Sequence, residues 1–202
     1  MRVRVRALCV VIAGLIGAGS ASAQVEGGVK VGVNFADVSG SVGGGATKSI
    51  RTGLVAGGFL TIPLADMFGF QPEVLYSMEG AKVTFTSGSA SVESTSKIDM
   101  LRVPLLLRVG PKPRSTASGF LVVGPSIGFV VRATETIPNQ PDSDFKNDLK
   151  STDVALLFGG GVTMGKFLAE ARYTAGLRDL NVTSSSDPNK SQVFSVLVGV
   201  TF

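Results

Sequence analysis

The sequence predicts an all-β fold in which eight antiparallel strands lie side by side. Three observations support this prediction: apolar and polar residues alternate with a period of two in eight segments, glycine is abundant, and apolar residues show no sustained helical spacing. The chain of 202 residues contains 26 glycines and only 17% charged residues, a composition that does not suit a helical bundle or a coiled coil. Its length fits one β-rich domain.

The first 23 residues are organised like an export signal. Arginines within the first six residues precede an apolar run at 7–18, which is too short to span a bilayer, and small residues follow it. We therefore predict a signal peptide at 1–23 and a mature domain at 24–202. Removal of the signal leaves 16 basic and 15 acidic residues. This balance takes away the electrostatic argument for a nucleic-acid partner.

The eight alternating segments follow the predicted signal in order. They are residues 28–37, 50–62, 68–79, 98–109, 119–134, 153–164, 166–177 and 193–202. The last segment shows the pattern most clearly, with Phe194, Val196 and Val198 on one face and Ser195 and Gly199 on the other. Over all eight segments, about 42 positions on the apolar face carry no charged residue. The opposite face carries the charged residues and many of the glycines.

Alternation alone fits two kinds of barrel. In a soluble periplasmic barrel of the lipocalin type the uncharged face encloses an apolar ligand, whereas in a membrane barrel it faces lipid. The export signal and the connection lengths favour the membrane barrel. Short connections (63–67, 110–118 and 165–166) alternate with long ones (38–49, 80–97, 135–152 and 178–192). We therefore predict an eight-stranded antiparallel up-and-down transmembrane β-barrel, because an apolar-outside sheet must close to satisfy its backbone in lipid.

Two features of the predicted strands indicate local irregularities. Pro72, Pro104 and Pro125 lie inside strands, where each removes a hydrogen-bond donor, so we expect bulges or bends there. The alternation also slips after Gly80, which predicts a bulge and a strand that continues beyond the bilayer.

Charged residues on the lumen face form the candidate site. They are Lys30, Glu73, Arg102, Arg108, Glu170 and Arg172. An eight-stranded barrel is only wide enough to hold side chains, so we expect these charges to pair and to plug the lumen. Glu73 and Glu170 are the one candidate pair of carboxylates for acid–base work, although they lie on strands that are not neighbours.

The composition also limits the chemistry of the chain. Because it contains no histidine, it has no Ser-His or Cys-His pair and no His-ligated metal site. We predict a non-enzymatic protein with no catalytic residues, cofactor or metal; a lipid-modifying enzyme is a weaker alternative. The long connections are rich in Ser, Thr and Gly and suit structural or interaction roles with a partner that the sequence does not identify. The barrel is expected to be a monomer in contact with outer-membrane lipid.

A further set of segments occurs in a characteristic order. They are residues 28–36, 71–81, 101–107, 124–128, 170–173 and 176–177, followed by the terminal Phe202. Together they span nearly the whole mature chain and resemble the PorT-like outer-membrane β-barrel family. The resemblance implies a location in the outer membrane of a two-membrane bacterium, with Phe202 as the signal read by the barrel-insertion machinery. Some members serve protein secretion, so an accessory role in secretion is an alternative function.

Overall fold

The computed structural model describes residues 25–38, 46–87, 90–111, 117–136, 138, 143–144, 151–177 and 190–202. The predicted signal peptide lies outside these ranges, as do parts of the predicted long connections. Among the described residues, no helix is long and apolar enough to cross a membrane.

Eight long strands form one closed antiparallel sheet. They are β1 (Glu26–Val38), β2 (Ala46–Pro63), β3 (Phe68–Ser87), β4 (Ala90–Val109), β5 (Ser118–Thr136), β7 (Thr152–Met164), β8 (Phe167–Gly176) and β9 (Ser191–Thr201). A two-residue strand, β6 (Ser143–Asp144), pairs with the end of β5. Each long strand pairs with the next long strand along the chain, and pairing of β1 with β9 closes the cylinder. The prediction of an eight-stranded antiparallel up-and-down barrel is confirmed.

The uncharged face of the sheet points outward. Leu107, Leu156 and Val198 are 40%, 44% and 56% exposed, whereas Leu106 and Leu157 on the opposite parity are 0% and 1% exposed. The charged face therefore lines the lumen, as in a membrane barrel. This orientation removes the basis for a lipocalin-type cavity lined by the uncharged face.

The barrel is taller on one side than the sequence predicts. The connection predicted at 80–97 is wrong as a loop, because β3 continues to Ser87 and β4 begins at Ala90. These two strands keep one register over their whole length, from Phe68 opposite Val109 to Ser87 opposite Ala90. Outside lipid both faces of a sheet accept polar residues, so the ladder continues where the alternation in the sequence ends.

Bulges occur in the barrel, but they do not lie at the prolines. The register between β2 and β3 shifts by one residue beside Gly80, whose positive φ of 131° favours glycine. A bulge therefore lies beside Gly80, but its extra residue is on β2 and not on β3 as expected, because β3 keeps its register with β4 there, with Gly80 opposite Lys97. A second shift places Val131 of β5 as an extra residue opposite β4. Next to Pro72, Pro104 and Pro125 some pairs are missing, but the register is the same on both sides. The bulges expected at the prolines are therefore absent from these described strands, since lost donors interrupt the ladder without inserting a residue.

Inward-facing glycines make room for large side chains in the narrow lumen. A Cβ atom at Gly28 would lie 2.4 Å from the ring of Phe59, and one at Gly159 would lie 2.7 Å from Cβ of Arg172. At these positions a bulky side chain from a neighbouring strand can therefore pack directly against the glycine backbone.

Gly161→Ala tests this packing. The new Cβ would lie 2.2 Å from the carbonyl oxygen of Ala169 and 2.7 Å from the ring of Phe120. We expect the free energy of unfolding in lipid vesicles, measured by urea titration, to fall by about 1 to 3 kcal/mol. Gly58→Ala is the control, because its nearest heavy atom lies at an ordinary 3.5 Å. Equal losses in the two variants would contradict the packing argument.

Leu105→Arg tests the orientation of the strands. Leu105 is 40% exposed on the outer face, so an arginine there would face lipid and should lower the free energy of unfolding by about 2 to 4 kcal/mol. Leu105→Met, which keeps the volume, serves as the control in the same vesicle assay. A neutral result for Leu105→Arg would count against an outward, lipid-facing side chain.

Candidate functional site

Four of the predicted lumen residues form one ring of charges, here called the lower cluster: Lys30, Glu73, Glu170 and Arg172. Lys30 Nζ donates to Glu73 Oε1 and to Glu170 Oε2, both at 2.9 Å. Arg172 Nη1 donates to Glu73 Oε2 at 2.8 Å, and Nη2 lies 2.6 Å from Glu170 Oε1. Each cation therefore contacts both carboxylates. All four side chains are buried, so the contacts replace the water that these charges lose.

The strands explain why these residues meet. Glu170 and Arg172 lie two residues apart on β8 and share its inward face, while Lys30 projects inward from β1 and Glu73 from β3. The strands β3 and β8 are not neighbours, so Glu73 and Glu170 meet across the lumen through the two cations. A barrel of eight strands is narrow enough for this reach.

Neutral neighbours complete the lower cluster. Gln71 Nε2 donates to Glu73 Oε1 at 2.7 Å. The ammonium group of Lys30 also lies 4.5 Å from the centroid of the Phe59 ring, within cation–π distance. The cluster is therefore held by hydrogen bonds and an aromatic face in addition to its ion pairs.

A second group, here called the upper cluster, contains Arg102, Glu79, Asp153, Ser77 and Ser191. Arg102 Nη2 donates to Glu79 Oε2 at 2.7 Å and to Asp153 Oδ2 at 2.9 Å, and Arg102 Nε also contacts Glu79. The hydroxyls of Ser77 and Ser191 donate to Glu79 at 2.8 and 3.0 Å. One guanidinium thus joins strands β4, β3 and β7 across the lumen.

The six predicted lumen charges do not form a single network. Arg102 lies in the upper cluster, apart from the four residues of the lower cluster. Arg108 joins neither cluster: its guanidinium lies 3.6 Å from the centroid of the Phe120 ring, and it has no salt bridge within the described residues. An aromatic face on the adjacent strand takes the place of a carboxylate.

The predicted lumen network left out Glu79 and Asp153, although the alternation places Asp153 on the charged face. Glu79 lies on the same parity of β3 as Glu73, so the alternation contained the signal, but the residue ends the predicted segment. Asp153 begins its predicted segment in the same way. Both carboxylates are 2% exposed or less, because β4 continues past Glu79 and β5 continues past Asp153.

The buried charges of the lumen balance. Eight charged side chains are buried among the described residues, namely Lys30, Arg102, Arg108, Arg172, Glu73, Glu79, Asp153 and Glu170. Four are cationic and four are anionic, so their formal charges sum to zero. In the described part of the chain, no group of three or more Cys, Asp or Glu side chains is placed to hold a metal ion. This pairing is typical of a structural role, since each carboxylate of the lower cluster is already bound by two cations.

The terminal Phe202 follows β9 and lies beside the start of β1. Its N–H donates to the carbonyl oxygen of Gly27 at 2.9 Å, which ties the end of the chain to β1. Its side chain is 78% exposed.

Glu73→Gln tests the lower cluster. The substitution leaves Lys30 and Arg172 with one carboxylate between them, so we expect the free energy of unfolding in lipid vesicles to fall by about 3 to 5 kcal/mol. Glu93→Gln is the matched control, because Glu93 pairs with Lys82 at 3.2 Å on the exposed surface. That pair should contribute less than about 1 kcal/mol. Similar losses of unfolding free energy in both variants would show that the buried ion pairs stabilise the barrel no more than an exposed pair does.

Comparison with known proteins identifies the family of the barrel. The family model described as "Outer membrane protein beta-barrel domain" matches residues 18–182. No curated protein matches the chain in sequence.

Solved structures resemble the chain at low sequence identity. Neisserial surface protein A is 15% identical and has a TM-score of 0.49, with 87% of this chain and 97% of that chain covered. The attachment invasion locus protein Ail of Yersinia pestis is 14% identical, with a TM-score of 0.45 and coverage of 88% and 98%. OprG of Pseudomonas aeruginosa is 14% identical, with a TM-score of 0.41 and coverage of 88% and 94%. Because the family model spans most of the chain, the protein belongs to the family of outer membrane proteins with this β-barrel domain.

Proposed function

We propose that this protein is a non-conducting, non-enzymatic outer-membrane barrel whose lumen is a structural plug and whose extracellular part contacts a partner. The observation that carries the proposal is the filling of the lumen by eight buried charges of zero net formal charge. A passage for solutes needs groups that water or ions can reach and leave. Seven of these eight groups are instead held by ion pairs with one another, and Arg108 is covered by the Phe120 ring.

The packing between the clusters supports a closed lumen. Asn34 Nδ2 donates to Ser77 at 2.8 Å, and Ser195 donates to Asn34 Oδ1 at 2.7 Å. Leu75 and Leu197 pack beside these polar groups and are 3% and 1% exposed. The cavity that remains between the two clusters has a volume of only about 20 Å³, which is too small for a solute pathway.

The taller side of the barrel supports an interaction role outside the membrane. The pairing between β3 and β4 continues as far as Ser87 and Ala90, beyond the apolar band of the barrel. An ion pair between Lys82 and Glu93, 3.2 Å apart, lies on the exposed surface there. This raised sheet would present a polar surface to a partner, together with the adjoining connections.

Four further properties belong to the proposed function. They are an export signal at 1–23, membership of the PorT-like group, a monomeric state and recognition of Phe202 by the barrel-insertion machinery. The exposed ring of Phe202 at the end of β9 supports the last of these, because a recognition signal must be accessible.

Reconstitution into lipid bilayers tests the plug. We expect the purified barrel to give no stepwise conductance in planar bilayers and no swelling of vesicles in small sugars, because the paired charges and apolar side chains fill its lumen. A water-filled porin in the same lipid is the positive control. Steady conductance steps from the intact barrel would refute the proposed plug.

A further inference from the structure

The small cavity between the two clusters has two arginines in its wall. Arg102 of the upper cluster and Arg172 of the lower cluster both line it. Polar side chains of Asn34, Ser77 and Thr174 also contribute to the wall. Its position makes it the junction of the two charge clusters.

Each of these arginines has a buried nitrogen that lacks a hydrogen-bond partner. The atoms are Nη1 of Arg102 and Nε of Arg172, and the two residues are 4% and 3% exposed. A buried charged donor without an acceptor is strongly unfavourable. An acceptor in the cavity would remove this penalty from both guanidinium groups.

We propose that one ordered water occupies this cavity and accepts hydrogen bonds from Arg102 and Arg172. The volume of about 20 Å³ leaves room for a single water, which needs roughly 10 to 15 Å³. A water has two acceptor positions, one for each arginine, and its two O–H groups can donate to neighbouring oxygens such as the Thr174 hydroxyl. The water joins the lower and upper clusters into one hydrogen-bonded column along the lumen.

Other small occupants fit the wall less well. Two guanidinium groups repel a cation, and the carboxylate of Glu79 in the same wall disfavours an anion. A dry cavity needs a wholly apolar wall, whereas this wall contains two guanidinium groups and a carboxylate among its aliphatic side chains. Water is the neutral species that both accepts from the arginines and donates to oxygen.

A high-resolution crystal structure of the unmodified barrel tests the proposal directly. We expect a density peak within about 2.6 to 3.2 Å of Arg102 Nη1 or Arg172 Nε and of a second polar atom of the wall. A well-resolved cavity without a peak, or guanidinium groups turned so that both nitrogens bond directly to protein oxygens, would overturn it.

Val193→Thr gives a second test in solution. Val193 lines the cavity and is 2% exposed, so the new hydroxyl would find the water as a partner. We expect the unfolding equilibrium constant in lipid vesicles to change by less than about threefold, compared with about tenfold for a hydroxyl that is stranded among apolar groups.

Val130→Thr is the matched control for this test. Val130 is 6% exposed and belongs to the apolar cluster with Ile98, Met100 and Ala133. Its new hydroxyl should therefore show the tenfold effect. Equal changes in the two threonine variants would contradict a water in the cavity.

Discussion

Closure of a narrow sheet in lipid is the constraint on which the rest of this structure depends. Lipid offers no hydrogen-bond partners, so every strand must pair on both sides, and β1 must meet β9. With eight strands the resulting cylinder is only as wide as the side chains inside it. Whatever faces inward is therefore desolvated, and the charged residues of the lumen must satisfy one another.

The lumen charges and the glycines follow from that narrowness. Lys30 and Arg172 each reach two carboxylates because opposite walls lie within one side-chain length. Inward glycines such as Gly159 leave the space through which the long side chains pass. An ion pair buried in this way is weak evidence for net stability, since desolvation offsets much of the attraction. Its stronger consequence is specificity, because a slipped strand would leave a buried charge without a partner.

The sequence predicts the fold and the inward face well, but it does not predict the pairing across the lumen. Period-two alternation places Lys30, Glu73 and Glu170 on one face because that property is local to each strand. Contacts between strands that are not neighbours depend on the diameter and stagger of the cylinder, which local patterns do not contain. For the same reason Arg108 was expected to pair with a carboxylate, whereas it stacks on Phe120.

The strand ends show a second limit of sequence reasoning. Above the membrane the sheet no longer needs an apolar face, so β3 and β4 continue without alternation and the hairpin resembles a loop in sequence. The predicted lumen network left out Glu79 and Asp153 at this boundary. The prolines show the converse, because they interrupt the ladder while the surrounding register holds.

Accessibility of single cysteines tests most directly whether the polar face lines a closed lumen. The only natural cysteine, Cys9, lies in the predicted signal peptide, so the mature barrel offers a clean background. In vesicles, Ser195→Cys should resist both a water-soluble and a lipid-soluble thiol reagent. Val198→Cys should react only with the lipid-soluble reagent, and Asp66→Cys in the exposed turn should react with the water-soluble one. Rapid reaction of Ser195→Cys with the water-soluble reagent would contradict a closed lumen, and the same result at Val198→Cys would contradict a lipid-facing outer surface.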